Sequence, residues 1–147
     1  MTERTCVLVK PDGVRKNLIG TVLARFEKEG LVLIGLKMLP PSKDFIGQFY
    51  GEHQGKPFYP ALIEFMTSGP IVACIWEGEG AIARVRAING ATDSKKAEPG
   101  TLRNLYGTDG RVNLVHASDS VASAQREIGL IFKETEIAAS RPLSTVS

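Results

Sequence analysis

"TCVLVKPDGV", residues 5–14, is the stretch that decides the fold. Its first five residues are apolar or β-branched, which is typical of a short buried strand. The "PDG" at 11–13 contains dipeptides that end a strand in a turn. Because Lys10 stands between the two, the sequence predicts a strand that carries a lysine to the end of a sheet.

Three later runs have the same character, and they are "LVLIGLKML" at 31–39, "IVACIW" at 71–76 and "VNLV" at 112–115. Each run is too short and too continuously apolar for a surface helix, so each predicts another strand. Helical spacing separates the runs, and the resulting order is β-α-β-α-β-α-loop-β-α. That order predicts an α+β fold of the ferredoxin-like split βαβ type, a four-stranded antiparallel sheet with helices packed on it. We expect the first and fourth strands to form the central pair.

Capping residues predict where the helices begin and end. Ser, Asn and Gly are the residues that most often stand at these positions. The expected end residues are Asn17 and Gly30 for the first helix, Ser42 for the second, Gly90 for the third and Ser120 for the last. Residues 91–111 show no sustained periodicity, and a loop of that length inside a domain is usually functional.

The composition favours one domain and excludes several classes of protein. The chain has 147 residues, and its formal net charge of +2 is too small for binding nucleic acid or a membrane through bulk charge. No apolar run approaches the roughly 20 residues of a membrane span, and the N-terminus lacks the pattern of a secretory signal. We therefore expect a cytoplasmic protein with one domain over residues 1–138 and an exposed tail over 139–147. Cys6 and Cys74 lie in apolar runs, which predicts buried thiols.

His116 is one of only two histidines and lies within "NLVHASDS" at 113–120. The residues alone leave two interpretations open, a structural imidazole at a strand end or a nucleophile between strand and solvent. Phosphate-binding side chains also stand at predicted element ends and in the long loop, namely Lys10, Arg86, Thr92 and Arg103. Together these groups predict a polyphosphate site, because the arginine guanidinium makes bidentate hydrogen bonds to phosphate oxygens. A neutral imidazole at such a site can attack a phosphoryl group. Glu127, in the last predicted helix, could orient the imidazole.

A dinucleotide-binding turn is a competing interpretation of "GEGAIA" at 78–83, which follows a predicted strand and opens a helix. That interpretation requires a second buried strand, and "ATDSKKAEPG" at 91–100 cannot form one. The sequence also contains no GxxxxGK[ST] motif. We therefore expect neither a Rossmann site nor a P-loop.

Residues 3 to about 136 resemble the nucleoside diphosphate kinases. The matching motifs, in order, are "VKPDGV" at 9–14, "GKPF" at 55–58, "SGP" at 68–70, "GATD" at 90–93, "PGTLR" at 99–103 and "NLVHASDS" at 113–120. The pattern N-x-x-H-[small]-S-D within the last motif is highly specific for that family. The resemblance implies transfer of the γ-phosphoryl of a nucleoside triphosphate to a nucleoside diphosphate, by a ping-pong mechanism through a phosphohistidine at His116 and with low base specificity.

The resemblance also implies roles for individual side chains. The implied catalytic residues are His116, Lys10, Tyr50, Ser118 and Glu127, of which Ser118 and Glu127 support the histidine. The implied nucleotide contacts are Lys10 at the phosphates and sugar, Phe58 and Leu62 at the base, Arg86, Thr92 and Arg103 at the phosphates, and Asn113 at the ribose hydroxyls. Mg²⁺ is expected to bind with the nucleotide phosphates and without a direct side-chain ligand. A homo-oligomer, tetrameric or hexameric, is implied as well, with no membrane partner and no obligatory nucleic acid.

One departure from the family pattern is Asn104-Leu105-Tyr106, where Gly-Asp-Phe is common, so subunit contacts can differ there. His53 matches no family role and is expected to be a surface or loop histidine. Two other functions stay open. A non-catalytic ferredoxin-like nucleic-acid-binding module would need aromatic side chains displayed on the sheet, and the predicted strands offer only Trp76. A histidine phosphocarrier or phosphatase would share His116 but would not depend on nucleotides.

Overall fold

The computed structural model describes residues 2–141 of the chain. Its strands are β1 (Thr2–Val9), β2 (Val32–Leu39), β3 (Ile71–Glu79) and β4 (Val115–Ala117). Its α-helices are α1 (Pro11–Arg15), α2 (Ile19–Lys28), α3 (Lys43–Phe49), α4 (Tyr59–Met66), α5 (Ala81–Asn89), α6 (Leu102–Tyr106) and α7 (Val121–Ile131). Short 3₁₀ turns occupy Gly51–His53, Ser94–Lys96 and Glu134–Glu136.

The four strands form one sheet in the order β2-β3-β1-β4, and every neighbouring pair is antiparallel. The predicted ferredoxin-like α+β class is confirmed. The expectation that the first and fourth strands form the central pair is wrong in part, because β4 lies at an edge and β3 lies beside β1 in the centre. The two strands are nevertheless neighbours, with Leu8 opposite His116. Lys10 and His116 therefore lie near the same end of the sheet.

Helices cover both faces of the sheet. Alternate residues of β1 point to opposite faces, so Val7 and Val9 pack with α2 and α5 whereas Cys6 and Leu8 pack with α3, α4 and α7. Trp76 of β3 is fully buried against Phe26, with ring centroids 5.3 Å apart. Because Trp76 is buried, the sheet lacks the exposed aromatic that the nucleic-acid-binding alternative needs.

Most predicted helix ends are confirmed, but the first is wrong. Ser42 and Ser120 accept hydrogen bonds from the third residue beyond them, and Gly30 and Gly90 have the positive φ that favours glycine after a helix. Asn17 is not an N-cap, since it has φ of +58° and Leu18 precedes the helix. The short helix α1 fills the predicted turn, and Asn17 redirects the chain between α1 and α2.

The predicted strand at 112–115 is also displaced. β4 begins at Val115, because Leu114 has φ of +77° and cannot continue an extended strand. His116 therefore lies inside β4 and not after it. Within the predicted loop at 91–111, residues Leu102–Tyr106 form α6, so Arg103 is a helical residue.

The remaining expectations concern the cysteines, the competing glycine motif and the ends of the chain. Cys6 and Cys74 are buried free thiols, as predicted, and burial raises the pKa of both. At the start of α5, Glu3 accepts a hydrogen bond from the backbone N–H of Ile82, so a carboxylate of the chain itself occupies the place of a dinucleotide pyrophosphate. None of the helices within residues 2–141 has the length and apolar character needed to span a membrane. Most of the predicted tail, residues 142–147, lies outside the described part.

Candidate active site

A cleft of about 650 Å³ opens beside β4 and the end of β1. Its walls come from α3, the Gly51–His53 turn, α4, α5, α6 and the segment 109–113. It is lined by ten of the residues that the resemblance implies, namely Lys10, Tyr50, Phe58, Leu62, Arg86, Thr92, Arg103, Asn113, His116 and Glu127. The eleventh, Ser118, is fully buried behind Glu127. The structure thus brings together side chains that are up to 117 positions apart in the sequence.

A buried hydrogen-bond chain holds the His116 ring. Nε2–H of His116 donates to Oε1 of Glu127 at 3.1 Å, and the Ser118 hydroxyl donates to the same oxygen at 2.7 Å. Ser118 in turn accepts from the backbone N–H of Cys6 at 3.0 Å, which ties the chain to β1. A carboxylate oxygen can only accept, so this geometry puts the proton of a neutral imidazole on Nε2. Nδ1 then carries the lone pair, and it has no hydrogen bond within residues 2–141.

Two aromatic rings of α3 and its C-terminus pack edge-on against the imidazole. The ring centroids of Phe49 and Tyr50 lie 4.9 and 5.8 Å from that of His116, at interplanar angles of 77° and 87°. Burial raises the pKa of Tyr50, so its phenol keeps its proton and remains a hydrogen-bond donor. Phe49 was not among the predicted site residues, since only the packing of α3 on β4 brings it to the ring.

Lys10 is held by the loop that precedes β4. Its Nζ donates to Oδ1 of Asn113 at 2.6 Å and to the backbone oxygen of Arg111 at 2.9 Å. Asn113 is itself fixed, because its amide donates to the backbone oxygen of Thr92 at 2.8 Å. The pKa of Lys10 is lowered to about 8. Burial is the main cause, and the positive charge of Arg103 is the second. A buried ammonium beside a second cation is suited to receive an anion.

Two arginines extend this positive region. Arg103 donates to three backbone oxygens, those of Gly90 at 2.8 Å, Val115 at 2.7 Å and Asn113 at 3.3 Å. Burial, and after it the charge of Arg86, lower the pKa of Arg103 to about 10. Arg86 contacts the backbone oxygen of Ala117 at 3.5 Å. Arg103 therefore braces the strand that carries His116, and two of its five N–H groups take no part in these three hydrogen bonds.

The mouth of the cleft is more open. Phe58 is 44% exposed, and Leu62 is buried beneath the same wall. His53, expected to be a surface or loop histidine without a role, lies in the Gly51–His53 turn and lines the cleft. Its ring stacks on Tyr50 at 6.0 Å and meets the edge of Phe58 at 5.3 Å. No pattern in the sequence predicts this contact, because the geometry of the turn creates it.

Acidic residues at the rim were also not predicted. Asp109 lines the cleft and accepts backbone hydrogen bonds from Arg111 and Val112, both at 2.8 Å, which lower the pKa of its carboxyl group. Asp119 lies on the cleft wall too, and a hydrogen bond with Ser123 is the main cause that lowers its pKa. Within the part of the chain that the structure describes, no three His, Cys, Asp or Glu side chains form a cluster suited to a metal ion.

Comparison with known proteins identifies the family to which this site belongs. The family model for nucleoside diphosphate kinase matches residues 3–137. A nucleoside diphosphate kinase of Staphylothermus marinus is 55% identical over 136 residues, which cover 92% of this chain and 96% of that protein. That of Carboxydothermus hydrogenoformans is 52% identical over 135 residues, which cover 92% and 91%.

A solved structure has the same fold. The halophilic nucleoside diphosphate kinase from Halobacterium salinarum in complex with CDP superposes with a TM-score of 0.92 at 43% identity, covering 96% of this chain and 94% of that one. The chain belongs to the nucleoside diphosphate kinase family, whose members are phosphotransferases.

Proposed function

We propose that His116 is the residue that carries the phosphoryl group between the two nucleotides. The observation that supports this most is the hydrogen bond from Nε2 to the buried Glu127. It reserves Nδ1 as a nucleophile at the cleft without the need for a separate base. A structural imidazole at the end of the strand would have no reason to leave Nδ1 without a hydrogen bond.

In the first half-reaction the Nδ1 lone pair attacks the γ-phosphorus of a nucleoside triphosphate. The bond between that phosphorus and the bridging oxygen breaks, and the diphosphate leaves with the electron pair. The Nε2 proton stays in its hydrogen bond with Glu127, which stabilises the ring as it gains positive character. In the second half-reaction an oxygen of the acceptor's β-phosphate attacks the phosphohistidine, and Nδ1 recovers its lone pair.

The cations of the cleft would stabilise the charge on the transferring group. We propose that Arg86, Thr92 and Arg103 bind the phosphates and that Lys10 bridges phosphates and sugar, because these groups face one cleft. The Tyr50 phenol supplies a further donor close to His116. Fixed donors in a partly buried site are worth more than the same donors in water, since they need no reorganisation during the reaction.

Nucleotides would bind with the base at the mouth and the phosphates at His116. Phe58 offers a half-exposed ring on which a base can stack, and Leu62 packs beside it. Asn113 lies between Lys10 and Thr92, which suits contact with the ribose hydroxyls. Every base has a π-face, so a stack of this kind supports low base specificity. The proposed substrates are ribo- and 2′-deoxynucleotides.

We also propose that Mg²⁺ binds with the nucleotide and not to a preformed protein site. The carboxylates that line the cleft form no cluster suited to a metal ion within residues 2–141, and Mg²⁺ is commonly held by substrate phosphates together with water. The ion would neutralise charge on the β- and γ-phosphates. Lys10, Arg86 and Arg103 would then bind the phosphate oxygens that the ion leaves open.

A homo-oligomer is supported by the open edge of β2. β2 is an edge strand, and its side chains Leu36 and Met38 are 51% and 58% exposed. An exposed apolar edge strand in a monomer invites pairing with another chain, whereas burial in a subunit interface removes that risk. We propose that residues 1–138 form the kinase domain of such an oligomer, that 139–147 form its tail, and that it acts in the cytoplasm.

The test is the direct detection of the phosphoenzyme. The protein is incubated with γ-labelled ATP and Mg²⁺, and we expect an acid-labile label that GDP discharges as labelled GTP. The matched control is His116→Ala, which should keep the fold and take up no label. Label that survives in this variant would contradict the assignment of His116. Label that inorganic acceptors or water remove as fast as GDP would favour a phosphocarrier or phosphatase.

A further inference from the structure

The chain between Asn113 and His116 makes a strained turn. Leu114 has φ of +77°, and the N–H of Val115 donates to the oxygen of Asn113 at 2.9 Å. A hydrogen bond from residue i+2 to residue i around a central residue of positive φ defines a γ-turn of the rare, strained form. A leucine has no intrinsic preference for this conformation, so the surrounding structure must hold it.

Two groups beside β1 hold the central residue of this turn. The backbone N–H of Leu114 donates to Oδ2 of Asp12 at 3.0 Å, and its oxygen accepts from the N–H of Lys10 at 2.8 Å. The helix α1 also packs tightly here, since a Cβ added to Gly13 would lie 3.0 Å from Cδ1 of Leu114. Among residues 2–141, the Asp12 carboxylate therefore supplies the one side-chain hydrogen bond made to the turn residue itself.

Asp12 is an unusual residue for this position. It is 2% exposed, and its second oxygen, Oδ1, is buried without a hydrogen-bond partner among residues 2–141. A buried carboxylate that is only half satisfied is costly, so a purely structural role would be better filled by a neutral side chain. Its negative charge also raises the pKa of Lys10, against the larger lowering by burial and by the charge of Arg103.

We propose that Asp12 is a positioning residue for phosphoryl transfer, which holds the strained turn through the Leu114 amide and places a negative charge beside Lys10. The turn joins the residue that clamps Lys10 to the strand residue that bears the imidazole, so its shape sets the distance between the ammonium and Nδ1. This inference rests on the proposed role of His116. It adds a residue that does not line the cleft.

Two variants of the full-length protein separate the hydrogen bond from the charge. Asp12→Asn keeps an oxygen that can accept from Leu114 but removes the charge, whereas Asp12→Ala removes both. The readout is the single-turnover rate of His116 phosphorylation by Mg-ATP, per folded molecule, as a function of pH. Circular dichroism and thermal melting give the folded fraction.

We expect Asp12→Ala to be slower by roughly ten- to a hundredfold, the loss typical of a hydrogen bond to a charged group. Asp12→Asn should lie much closer to wild type at neutral pH. As the pH is raised, the rate of Asp12→Asn should begin to decline at a lower pH than the rate of wild type. The reason is that the Asp12 charge, which raises the pKa of Lys10, is absent from this variant. A merely structural role would lower the melting temperature of the variants. It would leave the rate per folded molecule unchanged, together with the alkaline limb of the pH profile, which is the decline in rate at high pH.

Three results would overturn the proposal. They are a wild-type rate in folded Asp12→Ala, an Asp12→Asn rate as low as that of Asp12→Ala, and an alkaline limb of Asp12→Asn that coincides with wild type. If Asp12→Ala does not fold, the limb of Asp12→Asn decides alone. Absence of phosphoenzyme in the wild type would instead reject the proposed function, so the two failures are distinguishable.

Discussion

The two ends of the cleft differ in how their side chains are held. At the histidine end, Glu127 is buried and accepts hydrogen bonds from His116 at 3.1 Å and from the buried Ser118 at 2.7 Å. At the mouth, Phe58 is 44% exposed, and its ring packs against the His53 ring and the Lys56 ammonium. The His116 ring is thus preorganised, while the proposed base-binding surface is adaptable. This contrast is what an enzyme needs if it performs one reaction on nucleotides with different bases.

Loss of Lys10 should have the largest effect, because it removes a cation from the preorganised end. We expect Lys10→Met to lower kcat/KM by about 10²- to 10³-fold, similar to the loss of one donor to a developing anion. Methionine keeps the length of the side chain without the charge. The control is Lys16→Met, which removes an exposed lysine outside the cleft and should have little effect.

The same lysine should set the upper pH limit of the wild type. Burial, with the charge of Arg103, lowers the pKa of Lys10 to about 8, so the ammonium loses its proton above that pH and its binding of phosphate is lost. A profile of kcat/KM, which reports the free enzyme, should therefore decline above about pH 8. In Lys10→Met the residual activity should lack this limb. A limb that survives in the variant would assign it to another group.

Glu127 tests the support of the imidazole. We expect Glu127→Ala to slow phosphoenzyme formation by roughly 10- to 100-fold, because the His116 ring loses its hydrogen bond to a charged group and the Ser118 hydroxyl loses its acceptor at 2.7 Å. Glu127→Gln should lose less, since its amide oxygen can still accept from Nε2. Equal rates for Ala and Gln would show that charge alone matters. A wild-type rate in Glu127→Ala would remove the proposed explanation of Nδ1 as nucleophile.

Phe58 tests the adaptable end. A stack between a base and an aromatic ring contributes roughly 1 to 3 kcal/mol, so Phe58→Ala should raise KM for the acceptor by about 5- to 100-fold. The increase should be of similar size for purine and pyrimidine diphosphates, with kcat little changed. Phe58→Tyr, which keeps the stacking face, is the matched control. A change in kcat as large as that in KM would contradict the separation between the two ends.

The sequence predicts the elements of the site better than their detailed geometry. Periodicity and capping residues identified the alternation of strands and helices, because β1 and β3 are buried on both faces and read as apolar runs. The motif order identified the side chains that meet in the cleft. The strand order could not be obtained in the same way, since β4 has only three residues and its edge position depends on tertiary packing.

The features that were missed depend on contacts between distant segments. Leu114 has positive φ and is hydrogen-bonded to Asp12 and Lys10, which lie about a hundred positions away, whereas its local sequence predicts an ordinary strand. Phe49 reaches His116 through the packing of α3, and His53 reaches the cleft through a 3₁₀ turn. Such contacts leave no pattern along one chain. The roles assigned to the individual site residues stay predictions until the variants are measured.

The smallest effect is expected from a substitution at Asn89, a buried polar residue outside the cleft. It separates an effect on stability from an effect on the reaction rate. Asn89, at the end of α5, is fully buried, and both polar atoms of its side chain lack a hydrogen-bond partner within residues 2–141. Leucine has the same branching and number of heavy atoms and a higher helix propensity. Because an unsatisfied buried polar group costs about 1 to 3 kcal/mol, Asn89→Leu should raise the free energy of unfolding by ~1 kcal/mol in a urea titration.

The rate of phosphoenzyme formation should stay unchanged in Asn89→Leu, since this residue does not line the cleft. Asn89→Asp, which buries a charge without a partner at the same place, should lower the free energy of unfolding instead. If preorganisation at His116 is local, greater stability at the end of α5 has no route to the reacting atom. A change in rate that accompanies the gain in stability would show that the brace from Arg103 to the neighbouring Gly90 oxygen couples α5 to the histidine. The rigid end of the cleft would then extend into the helix and would not stop at Glu127 and Ser118.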